Sequence, residues 1–177
     1  SSSTISDPAG NIPDNLTHSA VDNNSSYKVD TELPTLNSVA ITGVQGDQNS
    51  FLNAEDNVSV TATFSEAVIV TSGTPELTLA VGSDNRTAAY YSDNNSTELV
   101  YRYMIQSGDN DTNGISIRAN ALDNSSSTIS DPAGNIPDNL THSAVSDNSS
   151  VKVDTTPPSV DNFTMSDTEL KIGDNAT

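Results

Sequence analysis

The chain has no cysteine and no tryptophan, and only six lysines and arginines among its 177 residues. Each shortage removes a class of explanation. Without cysteine there is no disulfide and no thiol chemistry to hold or operate the protein. Six cations stand against 24 Asp and Glu, for a formal net charge of −18. Such a surface offers no basic patch and no phosphate neutralisation, which excludes nucleic acid and anionic membrane as partners. No apolar run approaches the ~20 residues that span a bilayer. The only histidines are His18 and His142. G-x-S-x-G, H-E-x-x-H and phosphate-cradling glycine loops are all missing, and an enzyme is not expected. Glu55 and Asp56 form a carboxylate pair, but glycosidase chemistry needs a cleft with flanking aromatics, and tryptophan is lacking.

What is present is repetition. Residues 1–21, SSSTISDPAGNIPDNLTHSAV, return letter for letter at 125–145, an offset of 124. A match of that length within one chain is an internal repeat. At the same offset Asp30-Thr31-Glu32-Leu33-Pro34 corresponds to Asp154-Thr155-Thr156-Pro157-Pro158. Proline-bearing segments at module spacing read as joints that stop sheet pairing from running through. The expected organisation is the C-terminal part of one repeat in 1–30, a complete repeat in 31–154, and the N-terminal part of the next in 155–177. The segment is expected to be a window of a longer array.

The complete repeat predicts strands and almost no helix. VSVTATF at 58–64 alternates, with Val58, Val60, Ala62 and Phe64 on one face. Ala67–Val70 is a short apolar run, and LTLAV at 77–81 turns Leu77, Leu79 and Val81 inward. Segments 35–42, 86–91, 98–105, 115–117 and 151–153 are rich in β-branched and aromatic residues. A hairpin connection is expected at Asp93-Asn94-Asn95-Ser96, and Tyr27-Lys28-Val29 reads as a strand-like run. Apolar residues are only 33%, so the core is thin. Short strands spaced by turns predict an antiparallel two-sheet sandwich with Ig-like character. The polar stretch 120–150 is expected to add length with little core.

Acidic and amide side chains gather in loops. They are the joint aspartates Asp30 and Asp154, the loop Asn53-Ala54-Glu55-Asp56-Asn57, Glu66, the loop Ser107-Gly108-Asp109-Asn110-Asp111, and DPAGN at 131–135. Ca²⁺ takes six to eight oxygen ligands and suits such loops at strand ends. For any one of these loops, solvated turn residues are the competing reading. Bound metal would staple a cysteine-free β-module. Asn-x-Ser/Thr occurs thirteen times where composition alone gives roughly five. Compositional bias accounts for this unless the source glycosylates its surface proteins.

The order FSEAV (64–68), GTPELTL (73–79), the Tyr-rich hairpin, QSGDND (106–111), ISDPAGN (129–135) and VDTTPPSV (153–160) resembles the bacterial Ig-like, cadherin-like tandem repeats of giant secreted adhesins and biofilm-associated surface proteins. The resemblance covers essentially the whole chain. It implies Ig-like β-sandwich modules stacked end to end, with structural Ca²⁺ near the joints. The ligands it implies are Asp30, Glu66, Asp109, Asp131, Asn135 and Asp154. It further implies an extracellular or cell-surface location, and a role as an extender of a fibre or adhesin in cell adhesion and biofilm attachment. The partners would be neighbouring repeats of the same chain or fibre. The alternative is a carbohydrate- or surface-ligand-binding module using Tyr90, Tyr91, Tyr101 and Tyr103, with surface glycans as partners.

Overall fold

The computed structural model describes residues 4–124, 126–162, 164, 169 and 171–173. The chain divides into two units, Ser1–Asp30 and Thr31–Thr177. Among the described residues there is no helix, and every strand lies in the second unit. The protein is all-β. Six strands come first: β1 (Leu36–Gln45), β2 (Phe51–Leu52), β3 (Asn57–Ser72), β4 (Glu76–Val81), β5 (Asp84–Ser92) and β6 (Ser96–Met104). Four short ones follow: β7 (Asn110–Asp111), β8 (Leu122–Asp123), β9 (Thr128–Ser130) and β10 (Lys152–Asp154).

The larger sheet runs β1-β3-β6-β5-β4-β8 and is antiparallel, with β9 added to the far part of β3. The smaller runs β2-β10-β7. Its β10–β2 pair is parallel, a departure from the purely antiparallel expectation. β10 arrives from a distant part of the chain, so no tight turn dictates its direction. Both sheets feed one apolar cluster, consistent with a β-sandwich.

Alternation decides which faces meet. Val58, Val60, Ala62 and Phe64 of β3 are buried, as are Leu77, Leu79 and Val81 of β4. The other face of β3 carries Thr61, whose hydroxyl pairs with that of Thr42 at 2.8 Å. The expected runs 58–64 and 67–70 are a single strand with an irregularity inside it. β3 pairs with β6 up to Thr63↔Glu98, loses register, and resumes at Val68↔Ser96 before taking β9 at Ile69↔Ser130. The β5–β6 hairpin turns at Asp93-Asn94-Asn95, with positive φ at Asp93 and Asn95. Asn94 Oδ1 accepts the Val70 N–H at 2.6 Å, which ties this turn to β3.

The registers place entry and exit of the second unit apart. Thr35 donates its N–H to Ser65 Oγ and accepts the Ser65 N–H, both at 2.9 Å. Asp154 lies opposite Asn110, and Thr155 Oγ1 donates to Asp109 O at 2.9 Å. Asp109 in turn accepts from Tyr103, the partner of Val58. From Val58 to Ser65 the strand rises about 23 Å. The chain thus enters at one end of β1 and leaves near the other, while β3 runs on for seven residues beyond Ser65.

The stretch 120–150 contributes more core than its polarity suggests. Leu122 and Ile129 are buried, and Leu140 and Val145 pack against the cluster. The run 115–117 makes isolated bridges, Ala80↔Ser116 and Ile117↔Val145, rather than a strand. In the first unit the run 27–29 is not a strand, and Val29 is 92% exposed. Its counterpart Val153 is fully buried. The same contrast holds for Ile5, 64% exposed, and Ile129, 0%.

Local geometry is nevertheless shared. Asp7 Oδ1 accepts the Asn11 N–H at 2.8 Å, and Asp131 Oδ1 accepts that of Asn135 at 2.7 Å. His18 and His142 each place Nδ1 2.8 Å from the next residue's carbonyl. Short-range chemistry forms these turns, and β3 supplies the burial.

Gly114 seals the return of the chain. It has φ +110°, and a Cβ there would fall 2.0 Å from Asn148 O. Gly134 has φ +97° with open space around it. Gly114→Ala should therefore cost at least about 3 kcal/mol, and Gly134→Ala only about 1–2 kcal/mol of backbone strain. Urea unfolding of the two variants checks the difference, and equal losses would contradict the packing described.

Candidate functional site

The expected ligands that belong to the second unit separate into two groups, at its two ends. At the entry end, the β3 irregularity presents Glu66 beside Ser65, and Asp131 follows β9 directly. A carboxylate oxygen of Glu66 and one of Asp131 lie within 4.8 Å of each other. Asp131 is buried and Glu66 half-buried. Asp30, exposed, is the last residue of the first unit, five positions before Thr35 in the chain.

Asn135 acts on this pair through Asp131. Its Nδ2 donates to Asp131 Oδ2 at 2.8 Å while its N–H holds Oδ1. Burial pushes the Asp131 carboxyl up. The Asn135 side chain and the N–H groups of Asn135, Gly134 and Ala133 outweigh it, and its pKa falls below the ordinary 3.8. The carboxylate is therefore held ionised beside a second acid, the electrostatic setting a divalent cation relieves.

At the exit end the acids have different occupations. Asp109, 2% exposed, accepts from Arg86 Nε at 2.7 Å, from Tyr103 OH at 2.5 Å and from the Gln106 N–H at 2.9 Å. Burial raises its pKa, but the Tyr103 hydroxyl, the Gln106 N–H and Arg86 bring it below 3.8. Burial, then the adjacent carboxylate, pushes the Tyr103 phenol up to about 12. Arg86 supplies the positive charge here, so Asp109 serves the fold. Asp111, also buried, caps backbone: Oδ1 accepts the Gly114 N–H and Oδ2 the Gly82 N–H, both at 2.7 Å. Asp154 is exposed and accepts the Thr156 N–H at 2.9 Å. It shares a cavity of about 250 Å³ with Asn53, Asp56 and Phe51.

Sequence reasoning did not find Arg86 and Tyr103 as the holders of Asp109. A usable signal existed: Arg86 is one of only six cations in a strongly acidic chain, and a scarce charge of that sign tends to be paired where it meets a buried acid. The tyrosines are distributed unlike a flat platform. Tyr101 and Tyr103 are buried, and Tyr90 meets Tyr101 edge-on at 6.1 Å. Tyr91 is exposed, with the Arg102 guanidinium 3.7 Å above its ring. Of the sequons, Asn175 lies outside the described residues.

No known protein family, curated protein or solved structure matches the chain.

The depressed carboxyls set a pH dependence. Asp109 and Asp131 bind protons less readily in the folded chain than at the ordinary 3.8. Their contribution is therefore present above about pH 4 and is lost as pH falls through the folded values. Melting temperature should be flat above about pH 5 and drop in acid. Asp109→Asn should cost about 2 kcal/mol at neutral pH and flatten the acid limb. An acid limb of wild-type steepness in that variant would show that Asp109 does not carry it.

Proposed function

We propose that residues 31–154 form one Ig-like module of a tandem array, acting as a structural extender of an extracellular surface fibre or adhesin. Its work is attachment at a distance, to a cell surface or within a biofilm. The observation that carries this reading is the placement of entry and exit at opposite ends of β1, Thr35 beside Ser65 and Asp154 beside Asn110. A repeat so connected adds about the 23 Å between Val58 and Ser65 to whatever it joins. The verbatim duplication at an offset of 124 supports it, since a spacer needs identical copies.

In this reading Ca²⁺ stiffens each joint. Glu66 and Asp131 supply carboxylates 4.8 Å or less apart, and Asn135 orients Asp131. The joint aspartate is the third candidate: Asp30 before this module, and Asp154 before the next. The rival reading, a glycan-binding module, is weakened by the burial of Tyr101 and Tyr103. Tyr91 is the exposed ring on which it would have to rest.

Calorimetry with Ca²⁺ and with EDTA tests the cation. At a hundredfold excess over its dissociation constant, Ca²⁺ should stabilise the fold by about 2.7 kcal/mol. Glu66→Gln and Asp131→Asn should each abolish that response, and Asp30→Asn should weaken it. Identical melting with and without chelator would remove calcium from the proposal. A glycan array decides the rival: binding lost in Tyr91→Ala would replace the extender reading, and silence across the array would favour it.

A further inference from the structure

Two side chains of opposite charge stand on the outer face of the large sheet, and neither is paired. Glu98, Val100 and Arg102 alternate along β6 with Leu99, Tyr101 and Tyr103, which enter the core. The first three therefore share the face turned away from it. Glu98 and Arg102 are about 13 Å apart along the strand, and they form no ion pair. Arg102 meets no carboxylate among the described residues, and its Nε is buried without a hydrogen-bond partner. Its guanidinium lies over the Tyr91 ring, 3.7 Å from the centroid, which limits where it can go.

Around this pair the face is neutral and low. β1 carries no charged residue, and β3 carries none before Glu66. Thr61 and then Ala40 lie in register beside Val100, while Thr63 lies beside Glu98 and Ser59 beside Arg102. Side chains this small let a second sheet approach to the usual ~10 Å. Across β1, β3 up to Ser65, and β6, one acid balances one cation, in a chain whose net charge is −18.

We propose that this face pairs with the same face of a second copy, about a two-fold axis that crosses the strands at Val100. The charge pattern selects the partner. Turned about that axis, the two β6 strands run antiparallel and Val100 meets Val100. Arg102 of each copy then meets Glu98 of the other. Two ion pairs form together, and each residue finds the partner its own partner finds, as an isologous interface requires. A uniformly acidic surface would answer Arg102 and repel Glu98, and a basic one would do the reverse. A two-fold axis along the strands would set Glu98 against Glu98.

Area sets the strength. Four strands, β1, β3, β6 and β5, spaced about 4.8 Å apart over ~23 Å, offer roughly 400 Å² a side. That places the contact in the weak, transient class, with a dissociation constant of ~0.1–1 mM. The whole face belongs to residues 31–154. Neighbours along an array join at Thr35 and after Asp154, off the ends of β1. Two arrays running in opposite directions could therefore meet face to face and add their weak contacts by avidity. That consequence rests on the extender reading, whereas the dimer does not, and it needs no Ca²⁺.

Charge reversal tests the pairing. Sedimentation equilibrium of the full chain at ~1 mM in about 0.15 M salt should show a reversible dimer, and a monomer there overturns the proposal. Glu98→Arg sets cation against cation at both contacts, and Arg102→Glu sets acid against acid. Each should raise the dissociation constant at least about tenfold. Mixed one to one, the two variants restore both ion pairs and should associate as the parent does. A single chain carrying both reversals should do so alone. Asp138→Arg, at an exposed acid of another loop, makes the same change in net charge as Glu98→Arg and should not weaken association. Reversals without effect, or a mixture and a double variant that stay monomeric, overturn the pairing. Val100→Lys leaves the Tyr91–Arg102 stack in place and sets two cations on the axis, so it repeats the test should Arg102→Glu fail to fold. Undiminished association in that variant would likewise overturn the proposal.

Discussion

The backbone pairing of β3 is the constraint on which the other features rest. Up to Phe64 it is a central strand, held on one side by β1 and on the other by β6. Past the irregularity near residues 64–67 it gives its hydrogen bonds to β9. A ladder that changes partner breaks its register over one short stretch, and local chain bending follows. Glu66 occupies that stretch, and Asp131 ends the incoming strand. The approach of two acids is therefore a by-product of strand pairing, imposed by hydrogen bonds the fold needs in any case.

The duplicated segment separates what neighbouring residues decide from what distant ones decide. DPAGN closes the same Asx-bonded turn at Asp7 and at Asp131, because donors and acceptors lie within four residues of each other. Burial does not follow from those letters. Ile129 is buried because β3 lies alongside it, and Ile5 has the same neighbours in sequence and is open to solvent. The alternation at 58–64 and 77–81 was legible for a related reason: a half-buried strand writes its period over several residues. β2, β7 and β8 are two residues long and can write none. The contribution of 120–150 to the core was hidden because Leu122, Ile129 and Leu140 are spread thinly among polar residues.

The candidate site was legible in residue type and only partly in role. Acids in strand-end loops were visible, and Glu66 with Asp131 does come together. Asp109 looks like its fellows in sequence, but a cross-strand neighbour, Arg86, gives it a different task. Nothing within three residues of Asp109 announces Arg86, which is 23 positions away. The two ends of the fold consequently solve the same electrostatic problem in two ways. One end neutralises its buried carboxylate with a guanidinium and a phenol, and the other supports its own with the amide donors of Asn135, Gly134 and Ala133.

Entry at Thr35 and exit at Asp154 also fix how the second unit answers to pulling. Tension entering at Thr35 runs along β1, parallel to the strands and across the rungs it shares with β3, and leaves through β10, which two pairs hold to β2 and two to β7. Eight residue pairs between Leu36↔Phe64 and Gln45↔Asn57 share that load together. A hairpin pulled open at one edge yields one bond after another, each at low force. Here the β1–β3 ladder must slip as a whole, so the four pairs that hold β10 are where the second unit yields first.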